Sequence, residues 1–353
     1  MIDDKSTTYE WIVSTSENGR INKVLLEKMI RALTLLDGLA ESDLDFVFKG
    51  GTSLVLLLHP INRISIDIDI ITSDEKELNE ILQKICDDKG FLRFEKDARK
   101  HITAIEKEHY KLYYKSVINE DEEYVLLDVL RENILYTKIL TKEIRHEFIE
   151  ISGNPNVIQI PDINNLLGDK LTAFAPNTTG IPYQKNGQEM GMQIIKQMFD
   201  IGCLFDEADD IKVVSDVFSK FTKAELSYKG LDAGPNDVLD DIIETALLIC
   251  LETEIKNEAL KILKQGIVSV RSYIFSGRFN ENRAKIAASK TAYVASAIKY
   301  GGMEINKFHS GMNVRDLEIA GALDTKITRI MKKANPEAFF YLYQISLLLN
   351  EES

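Results

Sequence analysis

Asp67 and Asp69 stand two residues apart in the run RISIDIDI, residues 63–70, and they raise the first chemical question in this sequence. Isoleucine alternates there with Arg63, Ser65, Asp67 and Asp69, the two-residue period of a strand with one apolar and one polar face. Residues i and i+2 of a strand point the same way, so the two carboxylates converge on one small volume. Like charges about 4 Å apart repel by roughly 4 kcal/mol at an effective dielectric of about 20. Aspartate is also a poor strand former. A shared proton, an arginine or a divalent cation has to offset the repulsion, unless the pair is incidental to a solvent-facing edge.

Upstream, KGGTSL at residues 49–54 places Gly50 and Gly51 at the end of a short apolar strand and the start of a helix. A tight turn is the default role of paired glycines. At a helix start they also expose backbone N–H groups that suit a phosphate, and the hydroxyls of Thr52, Ser53 or Ser65 can add hydrogen bonds to the same anion. Lys49, Arg63 and Lys185 are further candidate nucleotide-binding cations. A third carboxylate, Asp128, interrupts the apolar run YVLLDVL. An unpaired charge there would cost several kcal/mol. Either a group such as Arg131 or backbone N–H satisfies it, or it joins Asp67 and Asp69 in an all-oxygen shell that favours magnesium or manganese over zinc.

Elements that must position these residues follow from periodicity. Helical spacing predicts helices over residues 22–39, 52–58 and 73–86, with strands at 46–48, 63–71, 91–94, 102–106, 111–114 and 124–130. Beyond Pro161 nearly everything is helical: 163–175, 188–205, 208–221, 236–251, 255–275, 280–298, 314–332 and 336–349. A mixed half followed by a helical half predicts two lobes, 1–155 and 156–353. The connection at 177–189, NTTGIPYQKNGQE, is rich in turn formers and long enough to be functional or a plain surface excursion.

Composition excludes several classes. The sequence lacks the HExxH, GxSxG and GxxxxGK[ST] motifs, and its three cysteines form no CxxC pair. No apolar run approaches membrane-span length and no signal-peptide pattern is present, so a cytoplasmic protein is expected. A net charge of −13 argues against a surface that binds nucleic acid throughout. Residues 254–300 nevertheless carry nine basic residues (Lys256, Lys261, Lys264, Arg271, Arg278, Arg283, Lys285, Lys290, Lys299) against three acidic ones, either a solvated helix face or a face for RNA or triphosphate.

The succession KGGTSL, RISIDIDI, DKLTAF and KQMFDIGCLF resembles the AbiEii/AbiGii toxin family of nucleotidyltransferases, within the superfamily related to DNA polymerase β. The resemblance covers about residues 45–206. It implies an α+β protein with a mixed-sheet nucleotidyltransferase core and an all-helical C-terminal lobe, the active site lying between them. It also implies that Asp67 and Asp69 bridge two magnesium ions, that Ser65 lies near the nucleotide phosphates, and that Asp128 takes the third carboxylate position. Lys170 would face the triphosphate and Asp200 would orient Lys170 or the nucleotide. The implied reaction moves a nucleoside monophosphate from an NTP to an acceptor hydroxyl, the 3′ end of tRNA foremost, with the 254–300 segment to receive it. Such toxins work with an antitoxin encoded nearby. A catalytically silent nucleotide-binding regulator, and a transferase acting on a protein or a small molecule, are the alternatives. From the residues alone, Lys170 sits at the margin of the apolar face of its helix, and Gln193, Lys196, Gln197 and Asp200 form a polar stripe that a solvated surface would equally explain.

Overall fold

The computed structural model describes residues 1–19, 21–60, 62–97, 106–252 and 257–351. Residues 102–105 of one expected strand, and Glu254 and Lys256 of the basic stretch, lie outside the described residues. Close packing divides the chain into two units: Met1–Asp162 with Ser272–Gly277, and Ile163–Arg271 with Arg278–Ser353.

The first unit is built on one mixed sheet. Its strands are β1 (Val47–Lys49), β2 (Asp67–Thr72), β3 (Arg93–Lys96), β4 (Glu106–Lys115), β5 (Glu122–Arg131), β6 (Ile139–Glu143) and β7 (Val157–Pro161). They run in the order β3-β4-β5-β2-β1-β7-β6. β2 is central, antiparallel to β1 and parallel to β5. Its alternation is as the sequence requires, with Ile68 and Ile70 buried and Asp67 and Asp69 only partly so. The buried face continues through Val125, Leu127 and Val129 of β5 and Tyr110, Leu112 and Tyr114 of β4. The helix Lys23–Glu41 packs against β2 and β5, burying Leu26, Met29, Ile30 and Leu33 completely. Asn22 starts that helix by accepting the N–H groups of Val24 and Leu25.

Several expected boundaries shift for visible reasons. The helix expected from residue 73 begins only at Leu78. Asp74 accepts the Lys76 N–H at 3.1 Å, and the Arg131 guanidinium takes the carbonyls of Asp74 and Lys76, so residues 74–76 are held in a turn. The strand expected from residue 63 pairs in the sheet only from Asp67. Arg63 instead forms a bridge with Ile274, and the Ile64 N–H donates to the Tyr273 carbonyl at 2.8 Å. The short segment Ser272–Gly277 thereby joins the first unit. The helix Tyr9–Gly19 and the strands β6 and β7 were not among the expected elements.

The second unit is mainly helical, with a long irregular connection after Lys299, so the helix expected over 314–332 begins only at Lys326. It also carries a hairpin of Gln184–Lys185 and Gln188–Glu189. Asn186 and Gly187 turn it with φ of 52° and 77°, the conformation that a two-residue hairpin loop needs. Upstream, the Asp241 carboxylate accepts from the Asn177 backbone and side-chain N–H groups and from the Thr178 hydroxyl, at 2.7–2.8 Å. The turn-rich connection is therefore fastened to the helix Pro235–Leu251. Among the described residues no helix is long and apolar enough to cross a membrane.

His146 makes the first unit sensitive to acid. Its Nδ1 accepts the Phe148 N–H at 3.1 Å, and burial, with a smaller contribution from His59, lowers its pKa to about 4. The unfolded chain, with a histidine near 6.5, therefore binds more protons between about pH 6.5 and 4. Its contribution is complete above that window and is lost as pH falls through it. Urea melts of the wild type and His146→Gln should differ in their change from pH 7.5 to 4.5 by roughly 2–3 kcal/mol, the wild type losing more.

Candidate active site

The pairing of β1 with β2 and of β2 with β5 sets Lys49, Asp69 and Asp128 at neighbouring register positions across three strands. Asp67 lies two residues before Asp69 and on the same side of β2. The Gly50–Gly51 turn folds directly over this row. Gly50 has φ of +80°, and a Cβ built on it would come within 2.0 Å of Asp69 Oδ2. A Cβ on Gly51 would meet Arg63 Nη2 at 2.7 Å and Ser65 Oγ at 2.9 Å. The glycines are thus required by contact as well as by conformation, because they let the start of the helix Gly50–Leu57 touch the aspartate strand.

Thr52 and Ser53 are fully buried, and their roles differ from the expected one. Thr52 Oγ1 donates to the Asp67 carbonyl at 2.5 Å, and Ser53 Oγ donates to the Gly50 carbonyl at 2.7 Å. In this structure each hydroxyl proton is directed at backbone, which ties the turn to the aspartate strand and to itself. The helix Gly50–Leu57 starts after Lys49, whose side chain makes no capping hydrogen bond, so its first N–H groups are not capped by the N-cap residue. Lys49 lies with Nζ 6.0 Å from the centroid of the Tyr136 ring. Arg63 is 8 % exposed and donates through Nη1 to the Ile64 carbonyl at 2.9 Å.

Asp128 is neither isolated nor sealed in the core. Its Oδ1 lies 2.7 Å from His109 Nδ1, and its side chain is 41 % exposed. Arg131, the expected partner, is engaged elsewhere, with Glu108 and the 74–76 turn. Sequence reasoning missed His109 because residues 107–110 fell between two expected strands. The outward alternation of Lys107, His109, Lys111 and Tyr113 along β4 was the signal that could have found it. Among the described residues, no group of three or more His, Cys, Asp or Glu side chains is gathered closely enough to hold an ion. Asp67, Asp69 and Asp128 therefore do not form a ready-made three-carboxylate shell. The register brings Asp128 beside Asp69, and His109 holds its carboxylate.

In the second unit, Lys170 and Asp200 are 8 % and 1 % exposed. Lys170 Nζ donates to Asp200 Oδ2 at 3.0 Å and to Gln197 Oε1 at 2.9 Å. A solvated stripe is ruled out for Asp200, which joins two helices through a buried ion pair. Lys185 lies exposed on the hairpin. The basic stretch loses much of its excess in space: Lys285 binds Glu252 at 2.5 Å and Lys264 shares that carboxylate. Lys290 bridges Asp206 and Glu337 at 2.7 and 2.8 Å, and Lys299 pairs with Asp240. These acids all come from outside residues 254–300.

The sequence matches the family described as "Nucleotidyl transferase AbiEii toxin, Type IV TA system" over residues 34–265, well over half the chain. The chain belongs to the AbiEii family. Membership makes it a nucleotidyltransferase of a type IV toxin–antitoxin family, with an NTP as substrate and an antitoxin as partner. Among solved structures it is similar to JHP933 from Helicobacter pylori, with 15 % identity, a TM-score of 0.42, and coverage of 80 % of this chain and 94 % of that one. It is also similar to a candidate nucleotidyltransferase from the same organism, at 15 % identity and TM-score 0.42, covering 78 % and 94 %. Neither likeness adds to what the sheet and the family match show. The sequence has no significant match among curated proteins.

The chemistry of the donor set fits the divalent ion that AbiEii nucleotidyltransferases generally use. Asp67 and Asp69 supply hard oxygen donors from one strand face, and the missing Cβ of Gly50 leaves Asp69 Oδ2 its place. Gly50→Ala should therefore displace the Asp69 carboxylate, lower the melting temperature and weaken NTP binding in the presence of a divalent cation at least tenfold by calorimetry. Gly153→Ala is the control: it has φ of +71° but nothing within 4 Å of the new Cβ, and should cost only about 1 kcal/mol with binding intact. Lys170→Met, which removes the ammonium that donates to buried Asp200 and Gln197, should destabilise the fold by about 3–5 kcal/mol in chemical denaturation.

Proposed function

We propose that this AbiEii nucleotidyltransferase moves a nucleoside monophosphate from an NTP to a hydroxyl at the 3′ end of an RNA, tRNA foremost, and releases pyrophosphate. The observation that supports this reading best is the contact of the Gly50–Gly51 turn with Asp69, which sets the start of a helix beside two same-face carboxylates. In the reaction the acceptor oxygen forms a bond to the α-phosphorus while the bond to the bridging oxygen breaks. The electron pair leaves with pyrophosphate, and the hydroxyl proton passes to a neighbouring carboxylate or to solvent.

Asp67 and Asp69 are the residues that would hold magnesium or manganese. Such an ion supplies neutralisation at the phosphates and a lowered pKa for the acceptor hydroxyl. The amides of the glycine turn bind phosphate oxygens, with Ser65, Lys49 and Arg63 beside them. Asp128, held by His109, stands on the acceptor side. Lys170 offsets charge on the triphosphate, and Asp200 and Gln197 set the direction of its amine. The acidic partners of Lys264, Lys285, Lys290 and Lys299 make residues 254–300 a weaker candidate for the RNA face than their sequence implies.

Incubation with each α-labelled NTP, total tRNA and magnesium tests this reading. Wild-type protein should label RNA with a preferred base, and Asp67→Ala or a chelator should lower the rate about a hundredfold or more. Label on a protein or a small molecule instead would overturn the RNA acceptor. No label with any acceptor, while magnesium-dependent NTP binding persists, would replace the transferase by a nucleotide-binding regulator.

A further inference from the structure

The two-residue period that aims Asp128 outward continues along β5 and onto its neighbour. Leu126 and Tyr124 share the face of Asp128, and their register partners on β4 are Lys111 and Tyr113, following His109 opposite Asp128. The opposite face of the same strand is sealed, with Val125, Leu127 and Val129 at most 1 % exposed, while Tyr124 is 40 % exposed. Tyr113 and Tyr124 lie with ring centroids 5.8 Å apart, and Lys111 Nζ stands 5.2 Å from the Tyr124 centroid. The Arg93 guanidinium lies 3.8 Å from the Tyr113 centroid on the sheet edge. A row of two rings and a guanidinium plane thus leads away from Asp128.

We propose that this open face of β5 and β4 is a stacking platform for the single-stranded 3′ end of the RNA acceptor. The proposal rests on the transferase reading for the direction of the strand, because the terminal hydroxyl has to lie at the carboxylates. Tyr124 is four residues from Asp128, a rise of roughly 13 Å along a strand. That distance spans about four stacked nucleotides at roughly 3.4 Å each. Tyrosine rings and the arginine plane stack on unpaired bases, which a duplex does not present. Glu122 and Glu95 lie on Arg93 at 2.6 and 3.4 Å, and the Tyr113 hydroxyl donates to Glu95 at 2.9 Å. Charge on the platform is therefore nearly balanced, so ring faces supply the attraction more than phosphate contacts do. This suits a protein of net charge −13 that takes hold of an RNA end.

The test measures binding of a labelled eight-nucleotide single-stranded RNA by anisotropy in wild type, Tyr124→Ala and Tyr124→Trp. NTP affinity, melting temperature and labelling of the same RNA are recorded beside it. Tyr124→Ala should weaken RNA binding about tenfold or more. Tyr124→Trp should restore it, with NTP affinity and melting temperature unchanged, and a duplex of the same sequence should bind more weakly than the single strand. RNA affinity indifferent to Tyr124→Ala, equal loss of NTP affinity, or no rescue by tryptophan would overturn the platform and leave a cross-strand aromatic pair. If wild type binds no single strand and labels a protein instead, the platform is overturned while transferase chemistry stands. If the single strand binds through Tyr124 and no nucleotide is transferred, the platform stands and the transferase reading falls.

Discussion

The close approach of Gly50 to the Asp69 carboxylate is the constraint around which the first unit is organised. It fixes how β1 ends, where the helix Gly50–Leu57 begins and which way the aspartate strand faces. Antiparallel pairing of β1 with β2 sets the carboxylate opposite the end of β1, and the positive φ of Gly50 turns the chain back across it. Thr52 then ties the helix to the Asp67 carbonyl, so the turn and the strand cannot shift independently. Any larger residue at Gly50 would push the carboxylate out of its place. A chain that keeps this contact keeps the start of the helix and the carboxylates together.

Charge in the second unit follows another logic. Lys170 and Asp200 are desolvated together, and the Lys170 amine donates to both Asp200 and Gln197. A buried pair of this kind is costly to form relative to an apolar pair, and costlier to break by removing one member. Elsewhere in that unit lysines close together in sequence find carboxylates from other helices, so a local basic count overstates the potential at the surface.

The sheet of the first unit uses one periodicity for two purposes. Inward residues of β2, β4 and β5 make the core under the helix Lys23–Glu41, and outward residues place Asp67, Asp69, Asp128, His109 and the two tyrosines on a common face. The stability of the core and the geometry of the site are therefore coupled. A slip of one residue in β2 would bury its carboxylates and expose its isoleucines.

The sequence by itself determined the aspartate strand, the glycine turn, the mixed-then-helical order of elements and the family, because each is written in residues close together in the chain. Strand alternation and glycine spacing are local signals, and they located Asp67, Asp69, Gly50 and Gly51. Tertiary structure alone decided the partners. His109 reaches Asp128 across two strands, Asp200 reaches Lys170 from another helix, and Asp206 and Glu337 neutralise Lys290 from distant segments. The helix expected at residue 73 was delayed because Arg131, far along the chain, holds the carbonyls of the 74–76 turn. The strands β6 and β7 are short, and their places at the sheet edge depend on pairing with β1 and with each other rather than on their own pattern. Local residue types state which chemistry is available; which groups meet is decided by register and packing, which act between residues that the sequence keeps apart.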